Sequence, residues 1–310
     1  MRAIVTDDYG SAPRLTDLEA PTAGPGQVRV AIRHASLNGL DNAVSRGYLQ
    51  GMMEHAFPVV LGKDYAGTID QVGEGVTDFA VGDDVFGVVL TWPLHEGSFA
   101  EYVVLAEKPY VARIPAGLDP ATAGVIGLAG SAAMGCINAV KPSAGDTMLV
   151  SGATGGVGAF VMQVAAARGV TVIATATPGA ETDHVLGLGA KHVVDYAGDV
   201  TAQVRELAPG GVDIALHMAG DPHALADLLV HGGRFASLLG IGPEQLGDRP
   251  ITASSIIAEP ERPLLEHLAA EVASGRLRIP VQRSYSLDDV PNAFNDFAAG
   301  TLGKLAVTIA

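Results

Sequence analysis

The chain has 310 residues, of which 48% are hydrophobic and 17% are charged. This composition suits one large or two medium-sized domains and excludes a disordered chain, because so much apolar surface can be buried. The formal net charge of −15 disfavours binding to nucleic acid or to an anionic membrane, since both would repel the protein.

Cys136 is the single cysteine, which excludes an internal disulfide and fits a reducing compartment. No histidine lies at a spacing typical of a nucleophile's partner, so we interpret Cys136 as a buried, inert thiol. The first residues include acids where a signal peptide needs an apolar run, and no apolar stretch reaches membrane-spanning length. A cytoplasmic protein is therefore expected.

Residues 1 to about 116 are predicted to be rich in β-strands. Apolar residues alternate or cluster in Gln27–Arg33, Ala66–Val72 and Ala100–Leu105, and glycine-containing turns separate these runs. The spacing favours a compact, partly open barrel.

After Pro115 strands alternate with helices. Small apolar residues at helical spacing predict a helix over about Asp119–Val140. The predicted elements that follow are strand Thr147–Ser151, helix Val157–Ala167, strand Val170–Ala174, helix Glu181–Leu188, strand His192–Asp195, helix Val200–Leu207, strand Val212–Met218, helix His223–Val230 and strand Gly233–Leu239. This alternation implies parallel strands joined by crossover helices, and hence a doubly wound sheet.

The alternation ends beyond about Pro260. The predicted elements of the tail are a helix near Arg262–Ser274, a strand at Gln282–Ser286, a helix near Asp288–Ala299 and a strand at Leu305–Ile309. We expect this tail to rejoin the N-terminal barrel, because domain termini often lie close together. The prediction is an outer domain of residues 1–118 and 262–310 around a dinucleotide-binding domain of residues 119–261.

A glycine-rich loop between a predicted strand and a predicted helix is the strongest local signal. Glycines permit a tight turn and close approach to a pyrophosphate, and the N-terminus of the helix attracts the anion. A strand-to-helix turn without a ligand is the alternative, and the surrounding series of strands and helices favours the dinucleotide. The expected coenzyme contacts in this loop are Gly152, Ala153, Thr154, Gly155, Gly156, Val157 and Gly158.

The second predicted strand leads into Thr175-Ala176-Thr177 without an acid. An Asp or Glu at this point usually holds the ribose hydroxyls of NAD. An uncharged pocket admits the 2′-phosphate, so the sequence favours NADPH. NADH stays open, because no lysine or arginine follows and Glu181 and Asp183 come soon after.

Several different short motifs follow one another along nearly the whole chain. They are Asn38-Gly39-Leu40-Asp41, Gly62–Gly67, Val81–Gly87, Gly97–Tyr102, the glycine loop, Gly189-Ala190, Val193–Tyr196, Gly232–Phe235 and Gly303–Leu305. In these motifs the chain resembles the zinc-free branch of the medium-chain dehydrogenase/reductases, the quinone oxidoreductase or ζ-crystallin-like family. The resemblance implies an α/β protein with a Rossmann doubly wound parallel sheet and a GroES-like β-barrel outer domain, a cleft between them, and usually a homodimer.

Members of that family generally use NADPH to reduce quinones, enones or enoyl thioesters. The resemblance places Tyr196 in the adenosine-phosphate pocket and His217 on the nicotinamide side. The further expected coenzyme contacts are Ser131, Thr175, Thr177, Met218, Ala219, Gly220, Leu239, Gly240 and Lys304. In three departures from the family pattern, Glu181 replaces a lysine that helps hold the 2′-phosphate, Ala43 replaces an active-site tyrosine and Ala132 replaces a threonine.

A metal site is not expected. Zinc-dependent relatives have a cysteine at the position of Asn38, a His-Glu pair at Lys63-Asp64, and four closely spaced cysteines for a structural metal. The three histidines of the outer domain fit no ligand spacing and are interpreted as surface or loop residues: His34, His55 and His95.

Hydride transfer makes few demands on side chains, because the cofactor carries the chemistry. Asn38, Tyr48 and Lys63 are candidate catalytic residues that would stabilise a developing oxyanion. Asp41 and Asp64 are candidate acid–base groups, with turn capping as the favoured alternative. The sequence thus predicts NADPH-dependent, zinc-independent reduction of quinones or α,β-unsaturated carbonyl compounds. An enoyl reductase acting on a biosynthetic intermediate and a non-catalytic NADPH-binding protein are the alternatives.

Overall fold

The computed structural model describes residues 1–309. The chain divides into two units: unit 1 holds Met1–Ser131 and the segment from Pro260 onward, and unit 2 holds Ala132–Glu259. The C-terminal boundary lies close to the predicted one, whereas the N-terminal boundary lies later than residue 118. The difference arises because the helix Gly127–Val140 spans the division between the units.

The secondary structure contains short strands and helices in both units. The strands are β1 (Arg2–Thr6), β2 (Arg14–Asp17), β3 (Gln27–Leu37), β4 (Val59–Val60), β5 (Asp64–Val72), β6 (Asp84–Val88), β7 (Tyr102–Ala106), β8 (Val111–Arg113), β9 (Thr147–Ser151), β10 (Thr171–Thr175), β11 (His192–Val194), β12 (Val212–His217), β13 (Leu229–Ser237), β14 (Thr252–Ser255), β15 (Val281–Ser286) and β16 (Lys304–Thr308). The helices are α1 (Gly39–Ser45), α2 (Pro120–Ala123), α3 (Gly127–Val140), α4 (Gly156–Ala167), α5 (Ala180–Gly187), α6 (Val200–Leu207), α7 (Pro222–Ala226), α8 (Pro243–Leu246), α9 (Arg262–Ala273) and α10 (Val290–Ala298), with a 3-10 turn at Leu287–Asp289.

Unit 1 contains two sheets. The smaller has the strand order β2-β1-β4, and the larger has the order β15-β16-β3-β5-β6-β8 with β7 also paired to β3. The long strand β3 pairs antiparallel with β5, and the register of this pairing shifts at two places. Its first half pairs with β7 and its end pairs antiparallel with the C-terminal strand β16.

Unit 2 contains one six-stranded sheet in which every neighbouring pair is parallel. The order is β11-β10-β9-β12-β13-β14. The chain starts in the middle, moves outward on one side and then returns to build the other side. This is the strand order of the Rossmann fold, and it confirms the predicted doubly wound sheet.

The elements of unit 2 agree closely with the sequence prediction. Strand Thr147–Ser151 and helix Val200–Leu207 have the predicted bounds, because the first is a short apolar run and the second repeats its apolar residues at helical spacing. The helix predicted over His223–Val230 is wrong in extent and ends at Ala226. The apolar residues that follow join the sheet instead, where Leu229 pairs with Val212.

Two elements of unit 2 escaped the sequence prediction, α8 and the edge strand β14. Strand β14 has the sequence Thr-Ala-Ser-Ser, which lacks the apolar run typical of a buried strand. It forms only because it pairs with β13, which places Ser255 opposite Ser237.

Each unit has its own apolar core. Buried residues of β3, β5 and α10 contribute to that of unit 1, among them Val30, Ile69 and Phe294. Buried residues of β9, β12 and β13 contribute to that of unit 2, among them Leu149 and Phe235. Within residues 1–309, no helix is long and apolar enough to cross a membrane.

Candidate functional site

The glycine loop of unit 2 begins where β9 ends and leads directly into α4. Gly152 has a φ of +79°, and a Cβ there would lie 3.0 Å from Cβ of Met218. A Cβ at Gly158 would lie 2.2 Å from the carbonyl oxygen of Ala153. Both positions therefore require glycine, the first for its backbone conformation and the second for close packing of α4 against the loop.

The start of α4 fits a diphosphate group. Gly155 is the N-cap residue, and it has no side chain that could satisfy the free amides of the first turn. Those amides and the positive end of the twelve-residue helix attract an anion. Gly152, Thr154, Gly155, Gly156 and Val157 are partly exposed, whereas Ala153 and Gly158 are buried and support the turn.

The loops after β9, β12 and β13 meet at the carboxyl edge of the sheet, next to the point where the strand order reverses. The Met218 amide donates to the Ser151 carbonyl at 3.1 Å, and the Ser151 hydroxyl donates to the Ala219 carbonyl at 2.6 Å. Open α/β sheets bind their ligands at this edge. The predicted contacts Met218, Ala219 and Gly220 thus lie beside the glycine loop.

His217 connects the loops after β12 and β13. Its Nδ1 lies 2.9 Å from Oγ of Ser237, and its Nε2 lies 3.2 Å from the carbonyl oxygen of Gly220. Because that carbonyl only accepts, the proton is assigned to Nε2 and Nδ1 accepts from the serine. Burial lowers the pKa of His217, which keeps the ring neutral.

The same network extends to the loop after β13. Oγ of Ser237 accepts a hydrogen bond from the Leu239 amide at 3.0 Å. The Leu239 side chain is exposed, and Gly240 follows with a φ of +76°. The supporting role of Ser237 was missed, because the sequence does not reveal its contact with His217 twenty residues away.

Of the predicted coenzyme contacts near the end of β10, one bonds to the glycine loop and two bond to the carboxylate of Glu181. Oγ1 of Thr175 accepts from the Gly152 amide at 3.1 Å and so supports the glycine loop. The Thr177 amide donates to Oε2 of Glu181 at 2.7 Å, and the exposed Tyr196 donates its hydroxyl proton to Oε1 at 3.0 Å. Glu181, noted in the sequence as a departure from the family pattern, is therefore the centre of this group.

Glu181 carries a negative charge at neutral pH. Partial burial alone would raise its pKa, but hydrogen bonds from Thr177 and Tyr196 and the charge of His184 outweigh burial and lower it. In return, the hydrogen bond to Glu181 raises the pKa of Tyr196, so the phenol stays protonated.

A buried polar cluster lies in unit 1, around the carboxylate of Asp64. Oδ2 accepts from Ser36 Oγ at 2.7 Å, from Asn38 Nδ2 at 2.9 Å and from Lys304 Nζ at 3.1 Å. Oδ1 accepts from the Leu128 amide at 2.6 Å, which caps the start of α3. Asp64 thus bonds to residues distant in the sequence rather than capping a turn next to it, as the favoured sequence interpretation had it.

Lys304 was predicted to contact the coenzyme, but its ammonium group is occupied within this cluster. Besides Asp64, Nζ donates to the Leu37 carbonyl at 3.1 Å and to Oδ1 of Asn38 at 2.5 Å. The three donor hydrogens of an ammonium group match these three acceptors. The structure thus places Lys304 as a support for Asn38 and Asp64.

Asp41 and Lys63 are the other buried charges of unit 1. Oδ2 of Asp41 accepts from the Asn38 amide at 2.8 Å, so Asp41 caps α1, whereas Oδ1 is buried without a partner among residues 1–309. Burial raises the pKa of Asp41 to about 7, although Lys63 and the Asn38 amide act against it. Burial also lowers the pKa of Lys63, whose Nζ donates to the Glu96 carbonyl at 3.2 Å.

Tyr48 and Ser131 lie outside the cluster's contacts. Tyr48 follows α1 in a loop, and the residue is 69% exposed. Ser131 is buried on α3, where its hydroxyl donates to the Gly127 carbonyl at 2.7 Å. Among the candidate catalytic residues, the structure therefore brings together Asn38, Asp41 and Lys63 but not Tyr48.

The remaining sequence interpretations concern the cysteine and the histidines. Cys136 is buried, as the sequence predicts, and burial raises the pKa of its thiol to about 12. His34 lies on strand β3, whereas His55 and His95 lie outside the strands and helices. Within residues 1–309, no three His, Cys, Asp or Glu side chains are grouped as metal ligands would be.

Two family models match the chain. The alcohol dehydrogenase GroES-like domain matches residues 24–116, and the zinc-binding dehydrogenase model matches residues 188–307. The first describes part of unit 1, and the second covers the later strands of unit 2 and most of the C-terminal tail.

Individual relatives agree with these models. A quinone oxidoreductase from Lama guanicoe is 28% identical over 329 residues, which cover 100% of this chain and 98% of that protein. A mycocerosic acid synthase-like polyketide synthase from Mycolicibacterium smegmatis is 32% identical over 316 residues, which cover 95% of this chain. The chain spans only 15% of that synthase's length.

A solved structure extends the likeness to the whole chain. The quinone oxidoreductase from Coxiella burnetii superposes with a TM-score of 0.89 at 25% identity and covers 100% of this chain and 99% of that one. This likeness includes the parallel sheet of unit 2, and the two family models match parts of both units. The chain belongs to the medium-chain dehydrogenase/reductase family, whose members bind nicotinamide coenzymes.

Proposed function

We propose that the chain transfers a hydride from a reduced nicotinamide dinucleotide to a quinone or an α,β-unsaturated carbonyl compound without a metal ion. The observation that carries the proposal is the glycine loop between β9 and α4. Gly152 and Gly158 tolerate no Cβ there, and the loop lies at the sheet edge where open α/β sheets bind dinucleotides. The quinone oxidoreductases among the relatives support the class of acceptor.

The chain's own residues would bind and orient the coenzyme, which supplies the hydride when bound. Loop amides and the N-terminus of α4 hold the diphosphate. The neutral His217 fixes the loops that carry Gly220 and Leu239, so the nicotinamide end meets preorganised backbone rather than mobile loops.

The acceptor needs a proton or a hydrogen-bond donor after hydride transfer. In an enone, hydride attack at the β-carbon forms an enolate, and a proton must then reach the α-carbon. Of the candidates Asn38, Lys63 and Tyr48, the first two are buried with protein partners, and Tyr48 is exposed. We therefore keep Tyr48 as the candidate donor and assign Asn38, Asp41 and Lys63 to the support of unit 1.

Independence from zinc is supported by the chemistry of the residues in the buried cluster. Asn38 offers an amide, and both oxygens of Asp64 already accept hydrogen bonds. Lys304 pairs with Asp64 in this cluster, and its positive charge disfavours a divalent cation. The uncharged end of β10 favours NADPH, whereas the carboxylate of Glu181 weighs against it. A homodimer and a cytoplasmic location stay predictions.

A coenzyme oxidation assay with a panel of acceptors tests this function. The panel contains quinones, enones and enoyl thioesters, and each is assayed with NADH and with NADPH. We expect turnover with at least one quinone or enone, and loss of turnover in Gly158→Ala but not in the matched variant Gly210→Ala. Tight coenzyme binding without turnover of any acceptor would support the non-catalytic alternative instead.

A second candidate is an enoyl reductase that acts on a thioester-bound biosynthetic intermediate. The 32% identity to a mycocerosic acid synthase-like polyketide synthase favours it, because that relative is a biosynthetic enzyme by its name. The same assay separates the two candidates: turnover of enoyl thioesters without turnover of quinones would favour the second.

A further inference from the structure

A carboxylate stands at the carboxyl end of β10, although the strand itself supplies no acid. Gly179 has a φ of +97°, and this turn starts α5 so that Glu181 is its second residue. The side chain thereby returns to the Thr177 amide at 2.7 Å, two residues past the end of β10. In a Rossmann sheet this is the position beside the adenosine ribose.

The orientation of this carboxylate is fixed by donors on both oxygens. Oε2 accepts from the Thr177 amide and Oε1 accepts from the Tyr196 hydroxyl. A second hydrogen bond holds the turn itself, because the Thr182 hydroxyl donates to the Thr177 carbonyl at 2.9 Å. Each carboxylate oxygen has a further lone pair, and Glu181 is only partly buried, so another donor can reach it.

We infer that Glu181 is the residue that selects the coenzyme, and that the chain binds NADH in preference to NADPH. A free ribose 2′-hydroxyl can donate to the carboxylate, as in NAD-binding sites in which an acid ends the second strand. A 2′-phosphate instead places a second anion beside an ionised carboxylate and is repelled. This inference rests on the proposed use of a nicotinamide coenzyme.

The positive charge that acts on Glu181 comes from His184 and not from a lysine or an arginine. Among residues 1–309, no lysine or arginine forms an ion pair with Glu181. The 2′-phosphate of NADPH needs such a partner, and an arginine is the usual one. The uncharged side chains of Thr175 and Thr177, which favour NADPH on the sequence, do not supply it.

Coenzyme fluorescence titrations test the inference by binding alone, without any acceptor. Dissociation constants for NADH and NADPH are measured for the wild type, Glu181→Gln and Glu181→Lys. The matched control is Asp183→Lys, which makes the same change in charge at an exposed position on the same helix. Thermal unfolding of each variant shows that the fold is intact.

We expect the wild type to bind NADH at least about tenfold more tightly than NADPH. The reason is that NADH makes a hydrogen bond to the charged carboxylate of Glu181, and NADPH loses it. Glu181→Gln should narrow that ratio, Glu181→Lys should reverse it, and Asp183→Lys should change it by less than about threefold. Wild-type binding of NADPH as tight as that of NADH would overturn the inference alone. Binding of neither coenzyme would overturn the proposed function and the inference together.

Discussion

Asp64 and Lys304 form an ion pair in the interior of unit 1, although 240 residues separate them in the sequence. The two charged groups lie 3.1 Å apart, and their side chains are 1% and 3% exposed. Both strands that carry them pair with β3, which sets Asp64 opposite Ser36 and Leu305 opposite Leu37. The C-terminal strand thus supplies the cation for a carboxylate on β5.

Replacing Lys304 by Met should destabilise unit 1 strongly. The change leaves the buried Asp64 carboxylate without its cation, and breaking such a pair costs about 3–5 kcal/mol. Chemical denaturation monitored by circular dichroism measures the loss. Lys191→Met, at an exposed lysine of unit 2, is the control and should stay within about 0.5 kcal/mol of the wild type. A Lys304→Met protein as stable as that control would contradict the prediction.

The stability contributed by Asp41 should depend on pH. Burial raises its folded-state pKa to about 7, whereas a free Asp titrates near 3.8. Between these values the folded protein keeps a proton that the unfolded chain has lost, so the contribution is present at low pH and is lost as the pH rises through 7.

The measurement compares the wild type with Asp41→Asn by denaturant unfolding at several pH values. Between a pH of about 4 and a pH of about 8, the free energy of unfolding of the wild type should fall by about 2–4 kcal/mol relative to that of the variant. Each unit of pKa shift corresponds to about 1.4 kcal/mol. A difference between the two proteins that is flat across this range would show that Asp41 titrates normally.

Adding one methyl group at Gly158 should damage both stability and coenzyme binding. The new Cβ would lie 2.2 Å from the Ala153 carbonyl oxygen, so α4 must move away from the loop. We expect overpacking to lower the free energy of unfolding by about 1–3 kcal/mol. The affinity for the coenzyme should fall by about tenfold or more.

The control for that experiment is Gly210→Ala, because a Cβ there meets no atom within 4 Å and the residue is outside the left-handed region. Its stability should stay close to that of the wild type, and its affinity for the coenzyme should be unchanged. Equal affinities of the two variants would show that the loop does not hold the dinucleotide.

Removing metal ions should leave activity unchanged. Dialysis against a chelator, with the metal content measured before and after, is expected to preserve hydride transfer to whichever acceptor the panel identifies. The physical reason is that Asn38, Lys63 and Asp64 present an engaged amide, an ammonium group and an engaged carboxylate, which make a poor divalent-metal site. Activity that falls on chelation and returns with added zinc would refute zinc independence.

Much of unit 2 follows from the sequence because its signals are local. The strand Thr147–Ser151 is an apolar run bounded by turns, and the glycines after it satisfy backbone requirements imposed within a few residues. Alternation of strand and helix patterns then restricts the topology to a doubly wound parallel sheet. These features need no knowledge of distant contacts, so the fold class and the candidate coenzyme loop were both predictable.

Only the tertiary structure decided which side chains meet. The turn at Gly179 directs Glu181 back to Thr177, although the strand before it ends without an acid. Pairing of β16 with β3 buries Lys304 against Asp64. The Glu181 contact depends on the backbone conformation of the turn at Gly179, and the Lys304 contact depends on which distant strands pair. Local apolar periodicity specifies neither.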